Sequence, residues 1–157
     1  MRRHLAGFGL TVCLAALPAG LRADHDPETM NHVGPDQLVW SASPYPGIQV
    51  ATLYGDPKKE GPYTVRVKFA PHAMSRPHYH PEERTITVIK GPWFAGSGEK
   101  FDPDTAVPMT TGSFVTHHPK KVHYDGAKDE EVIVQISGIG PSATIFAHPE
   151  DDPKNRK

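Results

Sequence analysis

Short runs in which apolar and polar residues alternate recur along the chain from residue 37 onward. Tyr63-Thr-Val-Arg-Val-Lys-Phe69 places Tyr63, Val65, Val67 and Phe69 on one face, and Thr85-Ile-Thr-Val-Ile-Lys90 does the same with Ile86 and Val88. A period of two is that of a half-buried β-strand. The pattern predicts strands over 37–41, 48–53, 63–69, 76–80, 85–90, 93–95, 113–117, 122–124, 132–137 and 144–147. Turn signals separate them: Gly55-Asp-Pro, Gly61-Pro, Gly91-Pro, Asp125-Gly and Gly140-Pro. No window sustains a helical period beyond a turn or two, although 24–36 has room for one short helical turn. Many short strands at this spacing imply an all-β sandwich or barrel. The charged segment 150–157 has no apolar anchor and is expected to fray, with 151–157 as a flexible tail.

The first residues read differently. Met1-Arg-Arg-His is a basic start, Leu5 to Ala19 is apolar apart from Thr11, and Ala23 precedes the acidic Asp24-His-Asp. That order predicts a secretory signal peptide over residues 1–23 and a periplasmic or secreted protein. The single cysteine, Cys13, lies inside this leader, so the mature chain must rely on its core or on a metal rather than on disulfides. Residues 24–150 suit one domain. Without Arg2, Arg3 and Arg22 the chain carries 14 basic against 18 acidic residues, a net charge of −4. No basic patch offers itself to nucleic acid or to an anionic membrane.

The chemistry concentrates in Arg76-Pro-His-Tyr-His-Pro-Glu-Glu-Arg-Thr-Ile-Thr-Val-Ile-Lys-Gly91. On a strand, His78 and His80 point the same way. Two such imidazoles make half of a site for a divalent transition metal. A third histidine, His123, lies in a second segment that begins at Gly112. Joining the two segments in one site needs a barrel-like fold.

These residues resemble the two motifs of the cupins, small β-barrels of jelly-roll type. The first cupin motif reads Gly, five residues, His-x-His, three or four residues, Glu, six residues, Gly; the second reads Gly, five residues, Pro-x-Gly, two residues, His, three residues, Asn. His78, His80 and Gly91 fall on the first, and Gly112 and His123 fall on the second at the expected spacing. His72 replaces the first glycine, Arg84 the glutamate, and His118, Lys120 and Ala127 the proline, glycine and asparagine. The resemblance covers about residues 60–140 and implies a single cupin jelly-roll barrel that binds one metal through His78, His80 and His123.

With Arg84 at the glutamate position, the fourth ligand stays open. A three-histidine site with an open or water-filled position is one reading, and it suits Zn, Fe, Cu or Ni better than the carboxylate-loving Mn. Glu82 or Glu83 as fourth ligand is a second, and histidines that bind no metal a third. If Arg84 faces the cavity, a carboxylate-bearing substrate is implied. Trp93 and Gln135 are further candidate substrate contacts, beside the plainer readings of core packing and an edge position. His117 and His118 are adjacent, so at most one faces inward, and both read as surface or edge positions. Tyr79 and Tyr124 are expected to face away from the histidines.

Function stays divided. The resemblance permits a small-molecule enzyme of dioxygenase, decarboxylase, isomerase or lyase type, and the fold does not choose among them. The alternative is a non-catalytic periplasmic metal- or ligand-binding cupin. A homodimer paired through the apolar strand 131–137, or through an N-terminal strand swap, is also compatible with the chain.

Overall fold

The computed structural model describes residues 26 and 28–155; residues 1–23, where the sequence predicts a leader, lie outside them. The chain separates into two units, with the boundary between His32 and Val33. In the first unit Asp26 closes a turn, accepting a backbone hydrogen bond from Thr29 at 2.9 Å. The second unit carries all the strands. Among the described residues there is no α-helix, only short 3-10 turns, and no helix is long and apolar enough to cross a membrane.

The strands are β1 (Ser41–Ala42), β2 (Ile48–Tyr54), β3 (Gly61–Phe69), β4 (His78–Tyr79), β5 (Arg84–Lys90), β6 (Trp93–Ser97), β7 (Val107–Met109), β8 (Phe114–His117), β9 (His123–Gly126), β10 (Val132–Gly140) and β11 (Ile145–Phe146). They form two antiparallel sheets, one in the order β1-β2-β3-β10-β5-β8 and the other in the order β11-β4-β9-β6-β7. The architecture is the all-β jelly roll expected. Its ladders stay in two sheets rather than closing into one continuous barrel.

The larger sheet turns a mainly apolar face inward, interrupted by Arg84 of β5 and His117 of β8. Tyr63, Val65 and Phe69 of β3, Ile86 and Val88 of β5, and Val132, Val134 and Ile136 of β10 are all buried in one cluster with Trp93. The smaller sheet presents polar side chains instead, with His78, His123 and Asp125 buried. An apolar wall and a histidine-bearing wall therefore line the same interior.

Several elements differ from the sequence pattern. The segment 37–41 is not a strand: Pro35–Gln37 is a 3-10 turn with Pro at its first position, and only Ser41–Ala42 pairs. β7 was hidden by Pro108, which a short edge strand tolerates because one side of its backbone is unpaired. Asp125-Gly126 is not a turn but the end of β9, paired with Ala95 and Phe94. β10 lies between β3 and β5 with both sides occupied, so 131–137 has no free edge for a partner subunit. Beyond Ala147 the described residues continue in two short turns. Pro149–Asp151 and Pro153–Asn155 form 3-10 turns, and Asp151 lies 3.7 Å from Arg76.

Gly96 and Tyr124 are cross-strand partners, and the Tyr124 ring lies where a side chain on Gly96 would stand. The Tyr124 hydroxyl donates to the Asp102 carbonyl at 2.8 Å, which pins the ring in that place. Gly96→Ala is therefore expected to destabilise the domain by about 1–3 kcal/mol through overpacking. A urea midpoint unchanged from wild type would show that Tyr124 can move aside freely.

Candidate metal centre

β4 is short because Pro77 and Pro81 flank it and neither can donate to a ladder. His78 is the direct cross-strand partner of His123 on β9. His80 lies just past the strand end and is held by other bonds: its carbonyl accepts from Lys120 N at 2.7 Å. The three ring centroids are 4.5–5.3 Å apart.

Each of these imidazoles is oriented in the same way. Nδ1 meets a backbone carbonyl in all three: Arg76 O for His78 at 2.7 Å, Ala143 O for His80 at 2.7 Å, and Lys121 O for His123 at 3.0 Å. A carbonyl only accepts, so Nδ1 carries the hydrogen and Nε2 carries the lone pair. Nε2 of His80 and of His123 is buried without a hydrogen-bond partner. Such orphaned acceptors are costly in a protein interior. A metal ion satisfies them, and carbonyl-anchored Nδ1 is the usual outer-shell support for a ligating histidine. The residues present therefore fit a metal: His78, His80 and His123 form a buried group whose ligand atoms all lie within 4.8 Å of one another.

Protonation favours the same role. Burial, with Asp125 opposing it, pushes His78 down to about 4, and burial aided by His123 pushes His117 to about 3. His80 and His123 are lowered too, chiefly by burial. Near neutral pH these rings are uncharged, the form that binds metal.

His117 and Asp125 enter the cluster without a clear signal in the sequence. His117 follows the parity of β8, inward at residues 115 and 117, and is the cross-strand partner of Arg84. Its ring centroid is 3.7 Å from that of His123. Asp125 is two residues beyond His123 on β9 and shares its face, so the period-two rule could have found it had 125–126 not looked like a turn. His117, His123 and Asp125 form a second metal-capable group. Burial works against the Asp125 carboxylate, but His78, His123, His117 and Arg84 outweigh it and hold its pKa below the usual carboxylate value.

Arg84 is on the same face of β5 as the core residues Ile86 and Val88, and it lines a cavity of about 370 Å³ between the sheets. Its Nε is enclosed with no hydrogen-bond partner, and no carboxylate among the described residues pairs with it within 4.0 Å. Burial lowers its pKa, with Asp125, Tyr63 and Glu82 opposing. Trp93, fully buried, lines the cavity beside His117, at 5.8 Å between rings.

The remaining candidates go elsewhere. Gln135 faces outward between the inward Val134 and Ile136, and accepts from Arg66 Nε at 3.2 Å; the alternation of β10 puts it outside the cavity. Glu83 is exposed and lies 3.2 Å from His118 Nδ1, away from the histidine cluster. Glu82 has both carboxylate oxygens enclosed without partners, yet it joins neither metal-capable group. Tyr79 and Tyr124 face away from the histidines, as their parity requires.

The domain model described as the ChrR cupin-like domain matches residues 28–143. The chain belongs to the ChrR cupin-like family. Among solved structures this cupin is similar to the polyketide cyclase RemF from Streptomyces resistomycificus, with 15% identity, 79% of this chain and 89% of that one covered, and a TM-score of 0.65. It is also similar to KdgF from Halomonas sp. (16% identity, 71% and 94% covered, TM-score 0.55). A cupin-2 domain protein from Rhodospirillum rubrum shows 14% identity, 78% and 82% coverage, and a TM-score of 0.58. At these identities the likeness carries the fold alone. No curated protein matches this cupin.

Proposed function

We propose that this cupin is an exported enzyme that uses one divalent transition metal, held by His78, His80 and His123, to transform a small molecule bearing a carboxylate. The observation that carries this reading is the placement of an unpaired, enclosed Arg84 Nε in the wall of the cavity beside three anchored imidazoles. A half-buried guanidinium with an enclosed, unpartnered Nε and no carboxylate partner is costly and is relieved by an anion that it can hold. RemF being a polyketide cyclase, and the fold being shared with it, supports small-molecule chemistry. The order of residues at the start of the chain supports export.

When bound, the metal supplies Lewis-acid polarisation of a substrate oxygen or a place for O₂. The chain does the rest. Arg84 grips the carboxylate and fixes its distance from the histidines. Ile86, Val134 and Ile136 form the apolar wall that excludes water. His117 keeps an unpaired, enclosed Nδ1 in the same cluster, where a substrate hydroxyl can hydrogen-bond. Which reaction follows, among the dioxygenase, decarboxylase, isomerase and lyase types, depends on the metal and the substrate.

The test pairs metal analysis of protein taken from its own compartment without chelators with a turnover screen of small carboxylates. Arg84→Met is expected to raise KM roughly 10- to 100-fold, the equivalent of about 1.5–3 kcal/mol for a charged hydrogen bond, while metal content stays at the wild-type level. Loss of metal in that variant would make Arg84 part of the metal's support rather than a substrate contact. A wild type that holds metal but neither binds nor turns over any carboxylate would return the protein to the non-catalytic, metal-binding alternative.

A further inference from the structure

We infer that Asp125 is a ligand of the same metal, so that the centre is a three-histidine, one-carboxylate site. Asp125 groups within 4.8 Å with His123 and His117 rather than with His78 and His80, so it reaches the ion through the shared donor His123 and its carboxylate closes on the ion as it binds. The inference rests on the metal reading above, and it concerns a residue that the histidine motifs do not mark.

His123 Nδ1 donates to the Lys121 carbonyl at 3.0 Å, so its Nε2 holds a lone pair. That Nε2 has no hydrogen-bond partner and faces Asp125 Oδ2 at 3.7 Å. Both residues are buried, at 7% and 5% exposure. Two lone-pair atoms held opposite one another in a low-dielectric interior repel, and neither can relieve the other without a cation between them. A divalent ion with bonds of about 2.0–2.2 Å to nitrogen and oxygen spans such a gap.

The backbone holds Asp125 in place for this. Its N–H donates to Ser75 Oγ at 2.9 Å, and its carbonyl accepts from Ser75 N at 2.7 Å. The next residue, Gly126, packs so closely on the backbone of Ala73 and Met74 that no side chain fits there. Strand β9 is thus clamped from one side while the Asp125 carboxylate points at the histidines. The nearest other cation, Arg84, makes no ion pair with it within 4.0 Å. Adding one hard oxygen to three imidazoles also moves the donor set toward Fe(II) and Mn(II), relative to imidazole alone.

The experiment compares wild-type protein with Asp125→Asn, after chelator stripping, by competition for Zn(II) and Co(II) against a chromophoric chelator and by thermal unfolding of the metal-free forms. Asp125→Asn is expected to bind either metal at least 100-fold more weakly and to change the Co(II) absorption. Its metal-free form is expected to melt no lower than wild type, because an Asn amide can donate to His123 Nε2 where a carboxylate cannot. A variant that binds metal within threefold of wild type, or whose metal-free form melts well below it, would overturn the inference and make Asp125–His123 an ordinary ion pair. Should the variant fold poorly, infrared difference spectra of the wild type on zinc loading decide instead. A carboxylate band that shifts at one equivalent supports the ligand, and unchanged carboxylate bands overturn it. A wild type that takes up no metal would remove the metal reading itself, a result distinct from metal binding that is indifferent to Asp125.

Discussion

His80→Ala is expected to abolish stoichiometric metal binding. His80 is the histidine held least by sheet pairing and most by specific bonds, with Nδ1 on Ala143 O and its carbonyl on Lys120 N. Its Nε2 is enclosed without a partner, so the ring meets no polar need except a ligand's. Loss of an outer-shell partner alone weakens metal binding by roughly 10- to 100-fold. Removing the ligand itself should exceed that, leaving less than a tenth of an equivalent after dialysis. The thermal stabilisation given by metal should vanish with it; for wild type at a hundredfold excess over Kd this amounts to about 2.7 kcal/mol. Elemental analysis and melting curves with and without zinc check both parts. Full metal occupancy in the variant would mean that the centre is built on His117 and Asp125 instead.

The second large effect is a loss of stability in acid. In an unfolded chain a histidine titrates near 6.5. In the fold His78 titrates at about 4 and His117 at about 3, because burial disfavours their charged forms. The unfolded state therefore takes up protons first. Stability is undiminished above about pH 6.5 and falls as pH drops toward 4 for His78 and toward 3 for His117. His78 alone contributes about 3 kcal/mol of this loss, from a 1.4 kcal/mol change per pH unit. His80 and His123 act in the same direction, and metal-loaded protein should resist until protons displace the ion. Urea unfolding of the chelated protein between pH 7.5 and 4.5 measures the effect. His78→Ala should flatten the slope, and a metal-free wild type equally stable across that range would show that these rings are more open to water than their surroundings imply.

Local alternation made the strands and the three histidines readable. β3, β5 and β10 follow the period-two rule over seven to nine residues, and His78, His80 and His123 converge as the paired motifs implied. What stayed hidden depended on contacts far apart in sequence. Asp125-Gly126 has the composition of a hairpin turn, yet the Ala73–Met74 backbone draws it into a strand. The His117–His118 pair has no parity of its own until Arg84 fixes its register across β5 and β8. Gln135 was readable in principle, since its neighbours Val134 and Ile136 already claim the inner face.

The division between the two walls has a consequence for variation. The shape of the interior is written on the long strands of the larger sheet, at positions such as Val65, Val134 and Ile136, while every ligand proposed for the metal except His80 lies in the short strands of the smaller one. Substitutions on the first set can resculpt what fits without displacing a single donor atom. What the interior admits and what holds the ion are thus set by largely separate residues.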